Sequence, residues 1–453
     1  VIQTPSHRVH AHSSFDVTFV ISTTRQKVRL SLEPNHDLFS GDATIQYLGA
    51  DGTVRSSKPI DRRDHRVFKG ESFIQLEGES EWRHAGWSRI NVRRDGEKPI
   101  FDGVFTVYDN HHHVQTKSAY RQTAVSGDPG LDDVDDDGEE EYMVVWRDTD
   151  IQPTDRDELR RDLTSAATCG SDELVYNRAE NNIVYRSLEE VAQDASPWRM
   201  SPRALFGRQI DSTPGGNGAG VNLANSIGST AGCPSTRKVA LVGIATDCTY
   251  TDKLGDGDAV TSNVIQIVNA ASQLYESSFN ITLAIGNLTI SEAACPNTPP
   301  STALWNQPCS DSVPIQTRLS LFSQWRGQWS DNNAYWTLLS TCGTGPAVGL
   351  AWLGAICQQG ASTRDNETSA SANVVVRTSP EWLVFAHETG HTFGAVHDCI
   401  DQTCSDGSVT RQECCPLSRN TCDAGSQFVM NPSTGNTITK FSPCSIGNIC
   451  SFL

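Results

Sequence analysis

Residues 381–398 read EWLVFAHETGHTFGAVHD, and the rest of the chain is understood from them. They hold His387, Glu388, His391, Gly394, His397 and Asp398 in the spacing HExxHxxGxxHD. On a helix, His387 and His391 lie about one turn apart on a single face, so both imidazoles can reach one metal ion. Glu388 stands beside them, placed to act on a water at that ion. A continuing helix would carry His397 away, because six more residues turn it by about 240° and advance it roughly 9 Å. The helix must therefore stop, and Gly394 is the residue able to take the left-handed conformation that reverses the chain. Three imidazoles then close on one Zn²⁺ and leave a fourth position open, the ligand set of a catalytic site.

HExxH alone arises by accident in on the order of one or two chains per hundred, and the added Gly, His and Asp lower that to about a few per million. Nine of the 12 His lie at or before His113, and the other three all belong to this motif. Surface or core histidines on an amphipathic helix are the weaker reading. A thermolysin-like set would take a distant Glu as third ligand, and Glu413 lies 22 residues beyond His391. Cys414-Cys415-Pro416 follows it at once and does not read as helix, so His397 is preferred.

The 453 residues suffice for two domains with separate cores. A formal charge of −18 argues against nucleic acid and anionic membrane surfaces as partners. No apolar run approaches the ~20 residues that span a bilayer. Of 14 cysteines, only Cys169 precedes Cys233, which points to several disulfides in the C-terminal half and an oxidising compartment. The sequons at Asn280, Asn287 and Asn366 agree with a secretory route.

Along the chain, residues 15–125 alternate apolar and polar side chains between turn signals and predict a β-rich N-terminal domain, residues 1–208. His111-His112-His113 reads as a solvated strand end, because three consecutive strand side chains cannot face one ion. The acidic run 128–141 opens like a calcium loop but has Val144 where a bidentate Glu belongs, so a solvated loop is expected. Residues 209–236, rich in Gly, Ser, Asn and Thr, predict a flexible linker. An α/β pattern occupies 237–453, with strands at 238–245, 281–290 and 373–376 and helices around Val264–Tyr275 and 317–329. VGLAWLG, residues 348–354, reads as an edge strand. The motif helix opens at Pro380, with Ser379 or a Thr378/Glu381 box as its cap. Met430 stands in a turn, FVMNPS.

These residues resemble the metzincin zinc endopeptidases: HExGHxxGxxHD followed by a turn methionine, with Asp398 pointing to the adamalysin, or ADAM, branch. ALVGIATDCTYT, SQLYESSFNITLAIGNLTI, LFSQWRGQW and GPAVGLAWLGAICQ are similar to that branch's catalytic segments, above all fungal ones, and RLSLEPNHDLF resembles its prodomain. The resemblance covers nearly the whole chain. It implies a β-rich prodomain followed by an α/β (α+β) metzincin catalytic domain with a mixed sheet and a long zinc-binding helix. His387, His391 and His397 would ligate Zn²⁺, Glu388 would be general base and acid, and Met430 would form the turn beneath the site. Cys169-Gly170 resembles the cysteine switch, although the usual Pro-Lys before it is missing. A tethered thiolate reaches an effective concentration of about millimolar. A plain disulfide, for instance Cys169 with Cys233, is the alternative.

Gly349, Leu350 and Ala351 would hold an extended substrate by strand addition. The expected product is a latent endopeptidase, secreted or on the outer face of the cell, acting on proteins or peptides and inhibited by its own prodomain. An adhesion module with a dead protease is the rival, but all four motif residues are intact. Release requires a cut between Cys169 and the zinc domain; Arg160-Arg161 precedes the cysteine, whereas Arg208 and Arg237-Lys238 flank the linker.

Overall fold

The computed structural model describes residues 1–125, 128–131, 141–151, 171, 174–178, 182, 184, 228–343, 347–398, 428–431 and 438–453. Cys169, Arg160-Arg161, Arg208, Glu413, residues 132–140 of the acidic run and the cysteines from 399 to 422 lie outside them.

The first nine strands are β1 Phe15–Val20, β2 Lys27–Pro34, β3 Phe39–Leu48, β4 Val54–Pro59, β5 Val67–Gln75, β6 Arg83–Arg94, β7 Ile100–Val107, β8 Asn110–Thr116 and β9 Met143–Arg147. The second half adds β10 Lys238–Thr246, β11 Ile281–Ser291, β12 Tyr335–Ser340, β13 Gly349–Ala351, β14 Ser362–Arg364, β15 Glu367–Ser369 and β16 Ala372–Val376. The helices are α1 Lys117–Thr123, α2 Cys248–Leu254, α3 Gly257–Phe279, α4 Ile315–Arg326, α5 Glu381–Thr392 and α6 Pro443–Phe452.

The expected β-rich region and mixed α/β unit are both present. One sheet is antiparallel, in the order β1-β2-β5-β6-β7-β8-β9. The other runs β13-β16-β12-β10-β11-β3-β4, parallel from β16 to β3 and antiparallel at both ends. Its last two strands come from the N-terminal part of the chain. β3 lies parallel to β11, with Thr44 opposite Asn287 and Leu48 opposite Ser291. Residues 39–59, which composition assigns to the first domain, therefore extend the sheet of the second.

Helix α3 lies between the two sheets. Asp256 caps its first turn by accepting from the Ala259 N–H at 2.7 Å, and Asn280 ends it in the left-handed conformation. Its stripe of Val260, Val264, Val268, Ala271 and Tyr275 is fully buried in the larger core. Toward the N-terminal sheet it presents Glu276, paired at 3.1 Å with the buried Arg89, and Asn269, which accepts from Asn35 at 2.7 Å. A helix covered on both faces needs apolar residues around most of its circumference, as this one has.

Three disulfides join described cysteines: Cys233–Cys450, Cys248–Cys295 and Cys309–Cys342. The first removes Cys233 as a partner for Cys169. Together with a 2.8 Å bond from the Gly228 N–H to the Pro443 carbonyl, it fastens residues 228–233 to α6, so the linker reading does not extend over them. Arg237 is paired with Glu276 at 2.7 Å and Lys238 begins β10, which makes that dibasic pair a poor release site. Of the three sequons, Asn366 is exposed on the β14–β15 turn. Asn287 donates to Thr44 Oγ1 and accepts from Asn333.

The solvated reading of the histidine triplet is wrong. His111, His112 and His113 are all buried. β9 covers β8, and strand alternation sends His112 against Phe105 while His111 and His113 share the opposite face. There both approach one buried carboxylate, Asp148: His111 Nδ1 at 2.7 Å and His113 Nε2 at 2.5 Å from its two oxygens. His111 also meets the edge of Trp382 on α5. Burial pushes the Asp148 carboxyl up, but His113 and His111 outweigh it and hold the group below the usual carboxylate range. A depressed carboxyl stabilises the fold fully above its unfolded value near 4, and that contribution is lost as pH falls below it. Asp148→Ala is expected to cost about 3 kcal/mol at pH 7, read from denaturant midpoints, with the cost shrinking under acid. Equal stability of the two proteins at pH 7 would contradict this account of the cluster.

Candidate metal centre

Every residue of α5 is buried, so the helix that carries the motif is packed on all sides. Tyr275 donates its hydroxyl to the Ala386 carbonyl at 2.8 Å, and Tyr335 meets Thr389 Oγ1 at 2.9 Å. Neither expected cap is made. Pro380 occupies the cap position without a side-chain bond, and the Glu381 carboxylate instead accepts from Tyr250 at 2.7 Å and Asn263 at 3.2 Å and pairs with Arg377.

The helix stops where the sequence requires. Gly394 has φ +95°, its N–H donates to the His391 carbonyl and the Ala395 N–H to Gly390, both at 2.9 Å. This is a Schellman ending with glycine in the left-handed position. A Cβ on Gly394 would also lie 2.9 Å from Phe452 Cγ on α6.

The reversal returns His397 to its two neighbours. His391 Nε2 is 3.1 Å from His387 Nε2 and 3.1 Å from His397 Nε2. His387 Nδ1 lies 2.6 Å from the Val429 carbonyl and His391 Nδ1 2.8 Å from the Ala395 carbonyl. A carbonyl only accepts, so both Nδ1 atoms carry the proton and both Nε2 atoms present lone pairs. Two lone pairs do not bond each other; a cation between them resolves the approach. A tetrahedral ion with bonds of about 2.0–2.1 Å spaces its ligand atoms about 3.3–3.4 Å apart, close to what is seen. Burial, with His397 alongside, pushes His387 down to about 3 and His391 well below its usual value. Both rings are therefore neutral and fit to ligate at working pH.

Three more motif residues have clear surroundings. Glu388 is buried, and Gly349 on β13 abuts it so closely that a Cβ there would sit 2.3 Å from Glu388 Oε1. Met430 is buried beneath the helix, and Gly390 makes room for it, since a Cβ at 390 would lie 2.4 Å from its Sδ. Asp398 donates its N–H to the Met430 carbonyl at 2.8 Å and accepts from Ser442 and Ser445 at the start of α6, tying the third histidine to the methionine turn. Gly349, Leu350 and Ala351 form the outer strand of the sheet, antiparallel to Asn373–Val375. Cys169 lies outside the described residues. The close approach of Gly349 to Glu388 was not visible in sequence spacing, nor were the carbonyls of Val429 and Ala395 that orient the rings.

Residues 235–442 match the family model described as metallo-peptidase family M12, and residues 3–71 match that of the reprolysin family propeptide. The chain is 48 % identical over 460 residues to the disintegrin and metalloproteinase domain-containing protein B of Aspergillus fumigatus, covering all of this chain and 58 % of that protein. It is 42 % identical to the protein of the same name from Arthroderma otae, covering 57 % of it. The zinc metalloprotease mde10 of Schizosaccharomyces pombe is 31 % identical over 45 % of this chain and 43 % of its own length. The chain thus spans rather more than half the length of the full-coverage relatives. With a propeptide match followed by a catalytic-domain match that encloses the three converging histidines, the chain belongs to the reprolysin, M12, family of metallopeptidases.

Proposed function

We propose that the chain is the latent form of a zinc-dependent endopeptidase that hydrolyses extracellular or cell-surface proteins. The observation that carries this is the convergence of three buried imidazole Nε2 atoms beside a buried glutamate and the outer strand of the sheet. His387, His391 and His397 would hold the ion. Zinc, when bound, supplies a Lewis acid and lowers the pKa of water to about 7. Glu388 takes a proton from the attacking water and delivers it to the leaving amine nitrogen. The backbone of Gly349, Leu350 and Ala351 aligns an extended substrate beside that carboxylate. Three disulfides support an oxidising compartment, and no described helix is long and apolar enough to cross a membrane. Residues 1–208 act as the inhibitor, with Cys169 as the candidate thiolate and residues 209–227 as the segment to cut.

Chain cut within 209–227 and supplied with zinc is expected to hydrolyse casein, to stop on chelation and to recover when zinc is restored. Casein hydrolysis indifferent to chelation would overturn the reading.

A further inference from the structure

The structure shows a set of contacts between residues 171–184 and the candidate site, made to the backbone of β13 and the residues after it. The Ala351 N–H donates to Ser171 Oγ at 3.1 Å, and the Ala351 carbonyl accepts from Asn177 Nδ2 at 2.8 Å. The Leu353 N–H donates to Asn177 Oδ1 at 2.8 Å, and the Leu353 carbonyl accepts from Asn182 Nδ2 at 2.9 Å. All three side chains are buried. Leu174 packs in the core cluster containing Leu350 and Trp352, and Val184 in the one with Leu353, Val396 and Phe452.

One side-chain amide, that of Asn177, thus bridges a carbonyl and an N–H two residues apart, the pair of groups a neighbouring parallel strand would engage. The backbone there does not run as a strand, since Val175–Asn177 form a single 3-10 turn. Asn177 Nδ2 also donates to the Ser171 carbonyl at 2.8 Å, which holds the turn in shape.

We propose that Ser171, Asn177 and Asn182 form a side-chain clamp that occupies the backbone groups of the substrate edge. The clamp competes with an extended peptide for the same backbone groups, and among the described residues no segment pairs with that edge as a strand. This rests on the reading of β13 as the substrate strand.

The test uses the full, uncut chain. Amide hydrogen exchange, resolved by residue in metal-free protein, is expected to quicken at Leu353 by roughly tenfold in Asn177→Ala and at Ala351 in Ser171→Ala. Asn177→Asp keeps the shape and the acceptor for Leu353 while losing the donor to Ala351, so Leu353 stays protected; this variant carries the test if the alanine form does not fold. In zinc-loaded uncut chain, a fluorescein-labelled peptidyl hydroxamate is expected to bind roughly tenfold tighter to Asn177→Ala and Asn177→Asp than to wild type. Unchanged exchange at Leu353 in Asn177→Ala and at Ala351 in Ser171→Ala overturns the clamp; where the alanine form does not fold, unchanged hydroxamate affinity in Asn177→Asp overturns it. Faster exchange with unchanged hydroxamate affinity overturns the competition and leaves the zinc-site reading standing. A hydroxamate that fails to bind even linker-cut wild type sinks the proposed function itself, and this inference with it.

Discussion

Glu388→Gln is expected to lower kcat/KM for peptide hydrolysis by about 10²–10⁴-fold while leaving zinc content unchanged. The carboxylate is buried among the helix residues and is not a member of the histidine cluster, so the amide should fit the same space and leave the three rings in place. What is lost is the ability to take a proton from water and return it to the amine. Metal analysis beside steady-state kinetics decides the matter: a variant of wild-type rate would remove Glu388 from the mechanism, and one that sheds its zinc would make its role structural.

Gly349→Ala should be nearly as damaging, by about 10²-fold in kcat, although it touches no histidine. The added methyl would stand 2.3 Å from Glu388 Oε1 and 2.6 Å from its Cδ and Cγ. A buried side chain has little room to yield, so the carboxylate must shift, and a displacement near 1 Å is enough for a loss of this size. Zinc content should change little, while the overpacked methyl is expected to lower stability by about 1–3 kcal/mol. Activity close to wild type would show that the carboxylate and the strand are not geometrically coupled.

Sequence reading succeeds here wherever a local rule fixes the outcome. The four-residue spacing of His387 and His391, the left-handed need at Gly394 and the period-two pattern of the strands are each set by neighbours within a few residues. It falls short where the deciding partner is remote. Asp148 lies 35 residues beyond His113, and nothing around the triplet signals a buried carboxylate between two imidazoles. Glu381 has a capping-box position, but Tyr250, Asn263 and Arg377 offer it stronger bonds from elsewhere in the fold. The domain division by composition misses that β3 and β4 complete the sheet of the other unit, because a strand records its own alternation and not its neighbour. Asn177 carried no signal at all; its role exists only in the presence of Ala351 and Leu353.

Anomalous diffraction at the zinc edge, from crystals of the full chain grown with zinc, bears most directly on the claim that a glycine-terminated helix brings three imidazoles onto one ion. The account predicts a single strong peak within about 2.0–2.1 Å of the Nε2 atoms of His387, His391 and His397. No peak there, or a zinc held by other residues while these three rings point apart, would contradict it.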